Sequence, residues 1–270
     1  MRRRYKPASR RLGWLPRIFL ISMAVSSLSA QPQIGGGACN SASLNGNYSL
    51  TLAGRDVSQT ATLSLVSVGV GSATFDGLSK VTLTVTPNTG KGQGAAQTWS
   101  GTYSMQVNCI GTLTITSGNS ATFTVESYNQ GKDYLITGQD GTYAYTGSGN
   151  LLPTTCSASQ MNGTYSFNGN GFITTSAGAI SGVSDFSGVM QFNGSGTVTS
   201  TWYISALGST QMLTASGTYS VNSNCSGTAT LTDSAGNKYS TAITQTAAAG
   251  NFIVGGATPQ IVFTGSGRPL

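Results

Sequence analysis

Acid chemistry in this 270-residue chain would have to run on seven carboxylates: Asp56, Asp76, Glu126, Asp133, Asp140, Asp185 and Asp233. A glycosidase needs two such groups facing each other across a sugar, and carboxylates that share a task come in close groups with perturbed acidities. These seven are scattered. Asp76, Asp140 and Asp233 precede Gly, Gly and Ser, contexts in which Asx side chains bond nearby backbone. We therefore expect solvated turns and rims, with Asp56, Asp185 and Glu126 as surface groups and no catalytic residue. The chain contains no histidine, which removes a histidine base and a His-liganded metal. Its four cysteines form no CxxC pair, so a zinc site is not expected, nor is any cofactor. Gly147-Ser148-Gly149 lacks the strand-to-helix context that a nucleophile elbow requires.

Aromatic side chains are the other residues that can mark a binding face. Trp99, Tyr103, Trp202 and Tyr203 are the candidates for ligand contact. Trp99 and Tyr103 share one face of a strand with Gly101 and Met105, and Trp202 shares a face with Val198 and Ile204. Those faces are the apolar ones, which makes core packing the first expectation. The alternation does not assign Tyr203 or Tyr143 to a side.

The elements that position these residues read as strands. In Lys80–Thr86, Val81, Leu83 and Val85 alternate with Thr82, Thr84 and Thr86, the period of two of a strand with one apolar face. The same pattern runs through residues 111–116, 121–126 and 227–232. Asp76-Gly77 and Asn193-Gly194 lie between such runs and read as type I′ hairpin turns. We place eight strands in the first half, beginning near Tyr48, Thr60, Lys80, Thr98, Ile110, Ala121, Asp133 and Thr142, and eight in the second. The repeated T-x-T rows also suggest a hydroxyl array facing ice or a crystalline polysaccharide.

An internal duplication organises the whole. CNSASLNGNYS (39–49) returns as CSASQMNGTYS (156–166), FDGLSKVT (75–82) as FNGSGTVT (192–199), WSGTYSMQVNCIGTLT (99–114) as ASGTYSVNSNCSGTAT (215–230), and YTGSGN (145–150) as FTGSGR (263–268). The expected organisation is a signal peptide over 1–30, a flexible lead-in over 31–38, one repeat over 39–150, a linker over 151–155 and a second repeat over 156–270. Each repeat is expected to be an antiparallel meander closed as an eight-stranded up-and-down barrel, with a β-sandwich as the alternative.

Charge supports export. Seven of the 13 basic residues precede residue 31, where there is no acidic one. An apolar stretch from Ile18 to Val25 and a small-residue exit at Ala30 follow, the layout of a secretory signal. The remainder carries six basic and seven acidic groups, which leaves no basic stripe for nucleic acid. No run reaches the roughly 20 apolar residues of a membrane span.

Strand parity orders the cysteines. In a meander, strand one starts at the end where strand four finishes. Cys39 and Cys156 precede the first strands and Cys109 and Cys225 follow the fourth, so Cys39–Cys109 and Cys156–Cys225 become feasible at a Cα separation of roughly 4 to 7 Å.

The succession of a cysteine, L-N-G-x-Y-S, F-D/N-G, S-G-T-Y-S, N-C and G-T-x-T resembles exported tandem β-repeat proteins of uncharacterised function from Acidobacteria and similar environmental bacteria. That resemblance covers roughly 39–270 and implies fold and export. More distantly, Cys39 with Leu44-Asn45-Gly46-Asn47-Tyr48, and Cys156 with Met161-Asn162-Gly163-Thr164-Tyr165, look like the opening of calycin barrels of the avidin and lipocalin kind, which have tryptophan where this chain has tyrosine. The sequence thus points to a non-catalytic binding or structural module outside the cell, facing a small molecule or a polysaccharide. The alternatives are a small-ligand carrier using a barrel interior and, behind it, a secreted hydrolase or a surface binder of ice or polysaccharide.

Overall fold

Alternation of β-branched apolar residues with threonine produces sheets with one buried and one wet face. Two such sheets close on themselves here. The computed structural model describes residues 38–57, 66–175, 179–246, 250–258 and 261–270. The leader, its exit at Ala30, nearly all of the lead-in and the strand start near Thr60 lie outside the described residues.

The first barrel comprises β1 (Asn45–Asp56), β2 (Val66–Asp76), β3 (Lys80–Thr89), the two-residue β4 (Gly92–Gln93) on the edge of β3, β5 (Gln97–Met105), β6 (Ile110–Ser117), β7 (Ala121–Tyr128), β8 (Asp133–Asp140) and β9 (Tyr143–Asn150). It closes because β1 pairs with both β2 and β9, and β2 returns to β3. The second comprises β10 (Asn162–Thr174), β11 (Ile180–Asn193), β12 (Thr197–Ala206), β13 (Ser209–Val221), β14 (Ser226–Asp233), β15 (Lys238–Gln245), β16 (Phe252–Thr258) and β17 (Ile261–Pro269), closed by β10 against β17. The fold is therefore all-β with two antiparallel eight-stranded barrels, and the sandwich alternative is set aside.

Inward residues fill each barrel. In β3, Val81, Leu83 and Val85 are buried while Thr82 and Thr84 are exposed. Tyr48, Phe75, Tyr103 and Tyr134 meet edge to face at the centre of the first barrel. Phe192 makes the same kind of contact with Tyr165, Tyr219 and Phe252 in the second, a geometry favoured by the ring quadrupole.

The duplicated signature consists of closure devices. A short 3-10 turn after each first cysteine, Ser41–Ser43 or Ala158–Gln160, tucks the fully buried Leu44 or Met161 under its barrel. The Tyr103 hydroxyl lies 2.8 Å from the carbonyls of both Ser41 and Leu44, and that of Tyr219 lies 3.0 and 2.8 Å from those of Ala158 and Met161. The glycine of S-G-T-Y is required by strand approach: a Cβ on Gly101 would collide with the Thr114 carbonyl, and one on Gly217 with that of Thr230.

The Asp-Gly and Asn-Gly hairpins differ from the type I′ expectation. That turn needs positive φ at both central residues, whereas only the glycines, Gly77 (φ 75) and Gly194 (φ 72), adopt it. Asp76 instead ends β2 and its Oδ1 accepts the N–H groups of Leu78, Ser79 and Lys80 at 2.8 to 2.9 Å. Asn193 Oδ1 likewise accepts Ser195 and Thr197. The side chain's capacity to bond backbone two to four residues on outweighs the two-residue turn.

Cys39 pairs with Cys109 and Cys156 with Cys225, at Cα separations of 4.9 and 4.8 Å. Cys109 (φ 65) and Cys225 (φ 69) both occupy the left-handed region, held there by Asn108 and Asn224, whose Oδ1 atoms accept the N–H groups of Ile110 and Ser226. The barrels touch through Val68 of β2 against Ala257 and Val262, and Thr244 Oγ1 donates to the Gly71 carbonyl at 3.2 Å.

Candidate functional site

Strand order in the second barrel assembles a polar groove from residues spread over four strands. On the outer face, Gln191, Thr199, Ser216 and Thr232 stand side by side across β11, β12, β13 and β14. Val189, Thr201 and Thr214 form the next row. Neighbouring members of a row are about 5 Å apart, and rows on one face about 7 Å apart, from strand spacing and rise. The groove lined by these residues holds about 450 Å³, space for several sugar rings rather than for a single ion.

A flat apolar step adjoins it. The row beyond Val189, Thr201 and Thr214 is Ser187, Tyr203 and Met212. Tyr203 is 50% exposed, Met212 59% and Val189 40%, whereas most of the other aromatic rings among the described residues are buried. One step further, the Ser205 and Thr210 hydroxyls bond each other at 2.8 Å. The face therefore combines an exposed ring with rows of hydroxyls and one amide, each hydroxyl able both to donate and to accept.

The other sequence candidates lie inside. Trp99 and Tyr103 are 6% and 3% exposed in the first core, and Trp202 is 7% exposed in the second. The two tryptophans differ in one respect. Trp99 Nε1 donates to Gln97 Oε1 at 3.3 Å, whereas Trp202 Nε1 has no partner among the described residues. Trp202 lines an apolar pocket of about 20 Å³ with Phe186, Ile204, Leu213, Tyr239, Ile261 and Phe263. That is room for one water, yet its lining is apolar throughout, where a buried water needs two to four polar partners.

Among the acids, the structure explains four by local bonding. Asp76 and Asp140 accept turn N–H groups, Asp233 accepts those of Ala235 and Asn237, and Asp133 accepts the amides of Asn129 and Asn150. Contacts from the Lys80 and Leu78 N–H groups hold Asp76 below the usual carboxylate range. Glu126 sits on the outer face of β7, opposite Leu135 of β8. Asp56 and Asp185 both border one cleft at the junction of the barrels, but Asp56 is buried on the inner face of β1, not the surface group expected, whereas Asp185 is exposed on the outer face of β11. No group of three or more Cys, Asp or Glu side chains gathers among the described residues to hold a metal.

No protein-family model matches the chain, and no curated protein matches it. The sequence signal for the groove was the T-x-T alternation itself. What it could not supply was the strand order that brings Gln191, Thr199, Ser216 and Thr232 into one row.

Proposed function

We propose that the protein is an exported, non-catalytic binding module that holds a polysaccharide on the outer face of its second barrel. The observation that carries this reading is Tyr203, half exposed beside the hydroxyl groove. A pyranose offers a CH face to an aromatic ring and hydroxyls along its edge, and this surface offers the matching ring and hydrogen-bonding rows. The outer faces are rows of threonine and serine, unlike the apolar band that a membrane-spanning barrel presents to lipid. No helix among the described residues is long and apolar enough to cross a membrane. Two disulfides suit an oxidising compartment, and the charge layout of the first 30 residues fits a cleaved leader. The repeat resemblance supports the same location.

Affinity electrophoresis in gels containing soluble glucans, xylans or mannans tests the reading. Retardation of the wild type by one of these, weakened about tenfold in Tyr203→Ala, equivalent to about 1.4 kcal/mol, is the expected result. Retardation unchanged in that variant, or absent from every gel, counts against it. N-terminal sequencing of exported material is expected to start near Gln31.

A further inference from the structure

A second groove on the same barrel has a chemistry that the Tyr203 face lacks. It holds about 540 Å³ on the outer face of β10, β17 and β16, where Ser166, Asn168, Ser266, Arg268, Asn251 and Ile253 line it, and Asn150 of β9 adds a wall from the first barrel. Strand register gathers these side chains. Ser166 lies opposite Arg268 and Asn168 opposite Ser266, which is in turn opposite Ile253. They alternate with the buried Phe167, Gly267 and Phe252, and so project outward.

Arg268 sets this groove apart. Beyond residue 30 the chain has only two arginines, and Arg55 is engaged over the Phe172 ring, 5.7 Å from its centroid. Arg268 is exposed, and its guanidinium has no hydrogen bond or ion pair among the described residues. Only its backbone carbonyl is used, by the Ser166 hydroxyl at 3.5 Å. No carboxylate is among the described residues that line the groove. Asp133 stands behind Asn150 and accepts two amides, Asn150 at 2.7 Å and Asn129 at 2.8 Å, so the Asn150 amide is fixed. Around the guanidinium, the amides of Asn168 and Asn251 and the hydroxyls of Ser166 and Ser266 can both donate and accept.

We propose that this groove is a second binding site and that it takes a carboxylate-bearing sugar, the uronic acid unit of an acidic polysaccharide. A planar guanidinium grips a carboxylate through two parallel hydrogen bonds. The neighbouring amides and hydroxyls suit the adjacent hydroxyls of a sugar ring, and Ile253 offers apolar surface to its CH face. A neutral sugar leaves Arg268 without a partner, and a bare inorganic anion leaves the amides without one. The site is separate from the Tyr203 face, since Ser187 stands between Asn168 and Tyr203 in their common row, and it does not rest on that reading.

Calorimetric titration of the full chain with α-1,4-linked trigalacturonate at pH 7 and low salt tests it. Saturable one-to-one binding is expected, weakened about tenfold or more in Arg268→Gln, the loss expected for hydrogen bonds to a charged group. The methyl-esterified trimer, which lacks the charge, is expected to bind more weakly by a similar factor. Tyr203→Ala is expected to keep the wild-type affinity, and inorganic phosphate to compete no better than chloride at equal ionic strength. Wild-type affinity in Arg268→Gln, equal binding of acid and ester, loss of binding in Tyr203→Ala, displacement by phosphate beyond the matched salt, or no heat at millimolar trimer would each overturn the proposal. Arg268 is exposed on the barrel exterior, so its replacement by glutamine leaves the fold intact.

Discussion

Asp233 and Tyr239 face each other across the β14–β15 turn, the tyrosine hydroxyl donating to the carboxylate at 2.8 Å. The first barrel repeats the device two hairpins later in its own order, where Tyr145 donates to Asp140 at 2.9 Å. In each case the carboxylate also accepts the N–H groups of its turn. The pair joins a solvent-side turn to a buried ring, and so couples barrel stability to the ionisation of both partners.

The pH dependence follows from the sign of each shift. Burial pushes Asp140 and Asp233 upward, but the hydrogen bonds they accept outweigh it and both end below the usual carboxylate value of 3.8. Groups depressed in the folded state contribute stability above their unfolded pKa and lose it as pH falls through the folded one. The tyrosines behave oppositely. Burial raises Tyr103 to about 12, and burial together with the bond to its aspartate raises Tyr145 and Tyr239 well above the ordinary 10. Their contribution is complete below about pH 10 and is lost above it. Thermal unfolding is therefore expected to give a flat Tm between about pH 5 and 9, falling on both sides, with the alkaline fall shallower in Tyr145→Phe/Tyr239→Phe. A steep slope inside the plateau would contradict this assignment.

The disulfides give a second expectation. They close loops with sequence separations of 70 and 69, and loop closure of that length removes about 4 kcal/mol of unfolded-state freedom on the chain-entropy model. Cys39→Ser/Cys109→Ser and Cys156→Ser/Cys225→Ser should thus destabilise their barrels by similar amounts, read as matched shifts in urea midpoint. A large loss from one pair and none from the other would show that strain or residual unfolded structure dominates instead.

These pairings were legible because they depend on parity alone, and parity survives errors in strand boundaries. The barrels were legible through the alternation in stretches such as Lys80–Thr86, where β-branched residues leave one wet face. The turn at Asp76 was not, because Asp-Gly satisfies both a two-residue turn and an Asx-bonded three-residue loop, and only the strand register decides. Tyr203 stood open for a related reason. Trp202 and Tyr203 are adjacent aromatics, and their partners on β13, Leu213 and Met212, are both apolar, so either face could have been the inner one. The repeated signature carried no functional signal because Tyr103, Tyr219, Gly101, Gly217 and the four cysteines are all occupied in closing barrels. Of the groove residues, Thr199 and Ser216 repeat Thr82 and Ser100 of the first copy, whereas Tyr203 stands where the first copy has Thr86.

The two tryptophans test how the cores are satisfied. Trp99→Phe loses ring contacts and the bond to Gln97. Trp202→Phe loses similar contacts but also removes an N–H that has no partner among the described residues, and such a group costs about 1 to 3 kcal/mol when buried. Trp202→Phe is expected to be the milder change by about 1 kcal/mol or more in chemical denaturation. An equal or larger loss at position 202 would mean that its Nε1 is bonded in solution, by water or by a ligand retained through purification.

The last prediction concerns the second barrel by itself. Residues 156–270 contain a closed sheet, their own aromatic core and their own disulfide, which are the requirements for independent folding. The cut also uncovers a surface. Ala257 and Val262, 5% and 0% exposed in the full chain, pack on Val68 of the first barrel with Phe172 and Ile180 beside them, and Val70 presses on the backbone at Gly255. Removing the first barrel leaves this apolar patch open to water, and patches of that kind drive association. The fragment is therefore expected to give a dispersed amide spectrum under oxidising conditions yet to sediment partly as a dimer. Val262→Lys should restore the monomer without loss of dispersion, since the side chain then stands in solvent. A collapsed spectrum from the oxidised fragment would show that the two barrels depend on each other to fold, and a monomer with the patch intact would show that their contact contributes little apolar burial.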